Sequence, residues 1–126
     1  MDYKDLANAI YPDAKPIEYY EEKYGPRDLP QGAEVTRFAP SPTGFVHIGG
    51  LYQCIINRAL AKQSNGVFML RIEDTDQVRK IENGVNQIVE ALAKFDFVPD
   101  EGMISETEEK GNYGPYKQSM RREIYH

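Results

Sequence analysis

Apolar residues recur along the chain with two periods, and the switches between them mark out its elements. Over residues 35–39 the period is two, which puts Val35, Arg37 and Ala39 on one face of a strand. Pro40 and Pro42 end any ladder there, since neither can donate a backbone hydrogen bond. Over residues 51–63 the period becomes helical. Leu51, Ile55 and Ala59 form one face with Tyr52, Ile56 and Leu60 beside it, and Asn65-Gly66 closes the helix. Residues 67–72 are a short apolar run bounded by turn signals. They read as a buried strand, parallel to the first because a whole helix separates the two. A second helix over residues 83–97 is supported by Val85, Ile88, Leu92 and Phe95 and stopped by Pro99. Residues 100–112 read as a polar, mobile loop. GPYKQS then leads to a third helix, whose apolar residues Met120 and Ile124 have hardly begun their period when the sequence stops. On that ground the chain is expected to be part of a longer one.

Ahead of the first strand the pattern predicts two short helices. Leu6, Ala7 and Ile10 share one face, and Ile17, Tyr20 and Tyr24 share another between Pro16 and Gly25. Helices this short are marginal alone in water, so they are expected to dock on something. Residues 27–32 form a linker. The chain thus divides into a helical N-terminal extension with linker, 1–34, and a second part, 35–126. The β-α-β order of the second part implies an α/β fold, the first half of a doubly wound, Rossmann-like parallel sheet. Both strand ends then lie at one edge, where ligands bind in such folds.

Composition narrows the classes. Of 126 residues 40% are hydrophobic and 28% charged, ordinary for a globular domain. No apolar run approaches a membrane span and no signal peptide opens the chain, so a cytoplasmic protein without a membrane partner is expected. The single cysteine, Cys54, can make neither an internal disulfide nor a zinc site by itself, and reads as filling a helix face. The net charge of −5 argues against nucleic acid at first sight. Residues 1–34, however, hold 4 basic and 8 acidic residues, and residues 35–126 hold 11 and 12. The acidic excess lies mostly in the leader, and the rest carries no basic stripe, so an RNA partner would be met by shape and local contacts.

The stretch VTRFAPSPTGFVHIGG, residues 35–50, is a strand, a turn and the opening of a helix, a geometry that presents free N–H groups and suits a phosphate. It lacks the Lys-Ser/Thr of a P-loop and the GxGxxG spacing. PSPTGFVHIGG resembles instead the first, HIGH-type signature of class I aminoacyl-tRNA synthetases, in the form carried by glutamyl-tRNA synthetases, with Gly50 at the fourth position. RFAPSPTG, RIEDTD and GPYKQS occur in the family's order, and the resemblance runs from about residue 35 to the end.

The resemblance implies ATP with Mg²⁺, L-glutamate and tRNA-Glu as ligands, in a parent enzyme expected to be monomeric. It places Arg37, Ala39, Ser41 and Glu73 at the glutamate, and Ser41, Thr43, His47, Gly49 and Gly50 at ATP. His47 and Gly49 carry the catalytic contacts, and Asp76 or Arg79 meets the tRNA 3′ end. Residue chemistry agrees: Arg37 offers a planar fork for a carboxylate, and Glu73 an anion for an ammonium. The reaction implied is attack of the glutamate α-carboxylate on the α-phosphorus of ATP, then transfer to the tRNA terminal ribose. The family's second, KMSKS-type signature does not occur, so this chain alone is expected to be inactive.

Other readings stand beside these. Arg37 could serve only as a structural partner of Glu73 or Asp74. Asp74-Thr75-Asp76 could be a DxD-type Mg²⁺ site or an N-cap cluster, a structural role being preferred for Asp74; no metal site is assigned. Tyr116, Gln118 and Ser119 match the family pattern without an assigned role. Tyr19, Tyr20 and Tyr24 could stack bases, packing being favoured. Among relatives, glutaminyl enzymes carry a PEPNG-like turn and an HIGH ending, which PSPTG and HIGG disfavour; glutamyl-queuosine synthetases are nearer. A non-enzymatic nucleotide- or partner-binding α/β module is the alternative of another class.

Overall fold

The structure is a computed structural model that describes residues 2–44 and 46–125; Phe45, inside the glycine-rich stretch, lies outside them. Two helices open the chain, α1 (Tyr3–Ile10) and α2 (Ile17–Lys23). Then come β1 (Val35–Phe38), α3 (Ile48–Gln63), β2 (Val67–Leu70), α4 (Gly84–Lys94), β3 (Glu101–Met103) and β4 (Glu109–Lys110). A 3₁₀ turn (Gln118–Arg121) runs into α5 (Arg122–Tyr125). The sheet order is β1-β2-β3-β4; β1, β2 and β3 are parallel and β4 is antiparallel to β3. This is the expected α/β architecture, with Val35 opposite Val67 and Phe38 opposite Leu70.

The core sits between strands and helices. Phe38, Phe68, Leu70 and Ile72 from the strands meet Cys54 and Ala61 of α3 and Val85, Ile88 and Leu92 of α4. Cys54 is fully buried, and burial pushes its thiol up to about 12. The predicted face of α3 is corrected. Ile55, Ile56, Tyr52 and Leu60 are exposed, and the inward side is the narrower one of Cys54 and Ala61. Helix α4 stops earlier than the pattern suggests because Asp96 turns left-handed, with φ 59°. Phe97 therefore packs on the core, and Phe95 stays exposed beside it, the rings 6.0 Å apart.

The expected loop over residues 100–112 is a hairpin. Polar pairing hides its strands from hydropathy: the Glu101 carboxylate is buried against Arg27, whose guanidinium bonds both its oxygens at 2.7 Å. The hairpin turn also supplies the start of α4. Asn83 makes no side-chain cap there; the Val85 N–H donates to Glu106 Oε2 at 3.1 Å. The expected third helix is the 3₁₀ turn followed by the one-turn α5. Among the described residues no helix is long and apolar enough to cross a membrane.

Candidate active site

The parallel strands end side by side, and their continuations stay paired. The Arg71 N–H donates to Phe38 O at 3.0 Å and the Glu73 N–H to Pro40 O at 3.0 Å. On the other flank Ile72 bridges the GPYKQS segment: its N–H donates to Tyr116 O at 2.8 Å, and its carbonyl accepts the Gln118 N–H at 2.8 Å. Residues 71–74 are thus threaded between the proline turn and residues 116–118. The proline turn is itself fixed by the segment leading into α4, because Pro42 O accepts the Ile81 N–H at 2.9 Å. A Cβ on Gly84 would stand 2.9 Å from that carbonyl, so only glycine lets the helix start lie this close.

Beside the turn lies a cavity of about 310 Å³, lined by Ala39, Ser41, Thr43, His47, Gly50 and Gln53 among others. That is a volume of small-molecule size. His47 is the N-cap of α3, and its Nδ1 accepts the Gly49 N–H at 3.2 Å. With Nδ1 engaged as acceptor, a neutral ring carries its proton on Nε2, which becomes a hydrogen-bond donor. Gly49 leaves the ring room: a Cβ on it would sit 3.1 Å from His47 Cε1 and push the ring by a few tenths of an ångström.

Arg37 and Glu73 do not line this cavity; they form an ion pair of their own. Arg37 Nη1 donates to Glu73 Oε1 at 3.0 Å, and Arg71 Nε lies 3.4 Å from the same oxygen, an ion pair without an aligned hydrogen bond. Arg71 also bonds the Tyr125 hydroxyl. One carboxylate thus faces two guanidinium groups, so a cation remains when Glu73 turns to another partner. Arg71 escaped the sequence reading, although its place next to Glu73 in RIEDTD was a usable signal.

The acidic string after β2 divides by environment. Asp74 is buried and accepts both the Ser119 N–H, at 2.9 Å, and the Ser119 hydroxyl, at 2.7 Å. Asp76 instead pairs locally with Arg79, Oδ2 to Nε at 2.6 Å, and accepts the Arg79 N–H. Those bonds hold its carboxyl below the usual carboxylate range. Asp76 and Arg79 are not among the residues lining the cavity. Tyr19, Tyr20 and Tyr24 pack ring to ring along the leader and are not among the residues lining the cavity.

The family model for class I tRNA synthetases (E and Q), catalytic domain, matches residues 34–126. The glutamate–tRNA ligase of Clostridium perfringens strain 13 is 53% identical over 99% of this chain, which spans 23% of that relative. The ligase of Acetivibrio thermocellus is 54% identical, with the same two coverages. Among solved structures, a glutamate tRNA ligase from Elizabethkingia meningosepticum in complex with its amino acid matches at 45% identity and a TM-score of 0.65. It covers 75% of this chain and 18% of that one. The glutamate-tRNA synthetase of Elizabethkingia anophelis matches at 44% identity and TM-score 0.67, covering 74% and 18%. The chain therefore spans about a quarter of the length of the curated relatives it matches.

Proposed function

This chain belongs to the class I tRNA synthetases of the E and Q type, and from that premise we propose that it supplies the first part of the catalytic domain of a glutamate–tRNA ligase. The substrates on this reading are ATP, L-glutamate and tRNA-Glu, and the enzyme works as a cytoplasmic monomer. Residues 1–34 form an extension, and residues 35–126 belong to the catalytic domain. The observation that carries the reading is the meeting, at one sheet edge, of a cavity fixed by His47 with an arginine–glutamate ion pair on adjoining strand ends.

The roles follow from chemistry. Arg37 holds the glutamate side-chain carboxylate, and Glu73, left with Arg71, meets the ammonium. Ala39 and Ser41, which line the cavity, complete the amino-acid pocket, and Ser41, Thr43, His47 and Gly50 of that lining, with Gly49 beside His47, receive the nucleotide. The substrate's α-carboxylate attacks the α-phosphorus and pyrophosphate leaves. His47 Nε2–H donates to the phosphates as charge builds, in a ring held still before the reaction. Asp76 or Arg79, in the loop after Glu73, meets the tRNA end. Among the described residues no group of three His, Cys, Asp or Glu side chains stands ready to hold a metal. Magnesium would enter with the nucleotide's own phosphates and offset their charge.

The test is a transplant. This chain replaces the matching segment of the Clostridium perfringens ligase, and the chimera is assayed for charging of tRNA-Glu with ATP and glutamate. Charging with glutamate in preference to glutamine is expected. A folded chimera that binds ATP without forming glutamyl-tRNA would favour the non-enzymatic module.

A further inference from the structure

The leader touches the body of the protein through a set of reciprocal bonds that the function above does not use. The Tyr24 hydroxyl donates to Gly114 O at 2.7 Å, and the Tyr113 hydroxyl donates back to Gly25 O at 2.7 Å. Their rings stack at 6.4 Å. The Tyr20 hydroxyl donates to Glu123 O at 3.0 Å. Arg27 lies over the Tyr113 ring, 3.7 Å from its centroid, while its fork holds both oxygens of buried Glu101. The Tyr116 hydroxyl closes the group, accepting the Tyr113 N–H at 2.9 Å and facing Glu101 at 3.4 Å. Neither α1 nor α2 buries a residue, and the bonds to the body come from Tyr20, Tyr24, Gly25 and Arg27. The leader is therefore attached through polar contacts of α2 and its following turn, and what these grip is chiefly residues 113–123.

That gripped segment is the one that holds the site's second strand end. Tyr116 and Gln118 bond Ile72 on both sides, and Ser119 bonds Asp74 twice. Between Ile72 and Asp74 stands Glu73, the partner of Arg37. Polar contacts thus run from Tyr24 and Arg27, through residues 113–119, to the backbone that aims Glu73.

We propose that the leader is a positioning element of the ligase: Tyr24, Arg27 and Tyr113 set the placement of Glu73, and through it the affinity for the amino acid, without touching any substrate. This rests on the glutamate–tRNA ligase reading above. Deeply bonded and stacked groups of this kind have one arrangement rather than a range, so removing two reciprocal bonds releases the segment by a discrete amount. Each neutral hydrogen bond lost is worth about a fivefold change in an equilibrium.

The experiment uses the chimeric ligase, with Tyr24→Phe, Tyr113→Phe, the double variant and Arg27→Lys, and reads KM for glutamate, KM for ATP, kcat and thermal midpoint. The double variant is expected to raise the glutamate KM about five- to tenfold. ATP KM and kcat should stay within twofold, and each single variant should give part of the effect. Arg27→Lys keeps the charge but not the fork, and should fall between the unaltered chimera and the double variant. A clamp that only stabilises would lower the thermal midpoint and the active fraction, hence kcat, and leave the glutamate KM where it was; that result overturns the proposal. An unaltered chimera that cannot charge tRNA-Glu overturns the functional reading instead, and this inference with it.

Discussion

Asp74 and Ser119, 45 positions apart in sequence, share two hydrogen bonds at 2.9 and 2.7 Å, and both oxygens of the buried carboxylate are used. A family string of unassigned role, GPYKQS, is thereby tied to the acidic string after β2. The bond is structural: it stitches the end of the chain to the strand end that carries Glu73. Ser119→Ala removes the hydroxyl and leaves a buried carboxylate oxygen without its partner, at a cost of about 1–3 kcal/mol. Urea unfolding of the two proteins measures it; equal midpoints would mean that water or another donor replaces the hydroxyl at no cost.

His47 has one observed duty and one proposed, and a single substitution separates them. As N-cap it fixes the start of α3; on the proposed reading its Nε2 also donates to the nucleotide. Asn at position 47 is a good cap but cannot place a donor where the ring does. His47→Asn in the chimera should keep the thermal midpoint and lower kcat by about 10²–10³-fold. A rate within threefold of the unaltered enzyme would remove His47 from the phosphates.

Glu101 gives a pH dependence with a definite sign. Burial raises its carboxyl above the ordinary value of 4.5, with the charge of Arg27, the Tyr116 hydroxyl and the Arg27 hydrogen bonds acting the other way. A raised folded-state value contributes stability that is complete below 4.5 and lost as pH climbs through the folded value. Arg27→Met removes two of the opposing influences and drives the carboxyl further up. At pH 7 the variant leaves a buried charge unpaired, costing about 3–5 kcal/mol. The loss should shrink as pH falls toward 4.5 and Glu101 takes up a proton. Denaturant midpoints across that range check it, and a loss independent of pH would contradict it.

The elements that hydropathy announced are those whose burial is apolar. Strands β1 and β2 and the starts of the helices after them stand close to where periodicity put them, because Phe38, Leu70, Val85, Ile88 and Leu92 stabilise by leaving water. The hairpin was illegible for the opposite reason: Glu101 is buried by pairing with Arg27, 74 positions away, and no local window contains that partner. Helix α3 misled because its apolar arc is wider than the face this chain covers. In the site, the motif string runs along the cavity, and Arg37 and Glu73, which the family resemblance implied and residue chemistry agreed with, stand together as an ion pair. Arg71 is not singled out by the pattern, and for the leader's tyrosines the sequence favours packing without naming a partner, since their parts depend on contacts between distant segments.

The most direct measurement of the central claim, that this sheet edge recognises glutamate by its side-chain carboxylate, is made on Arg37. On the proposed reading, replacing it by Leu in the chimera leaves the substrate carboxylate without its fork, while the neighbouring cavity proposed for ATP, which Arg37 does not line, keeps its residues. Glutamate kcat/KM should fall by at least about 100-fold, in line with roughly 3 kcal/mol for an unpaired charge, with ATP KM unchanged. A variant that charges tRNA-Glu with unaltered glutamate kcat/KM would show that Arg37 only braces Glu73, and that the amino acid is read elsewhere.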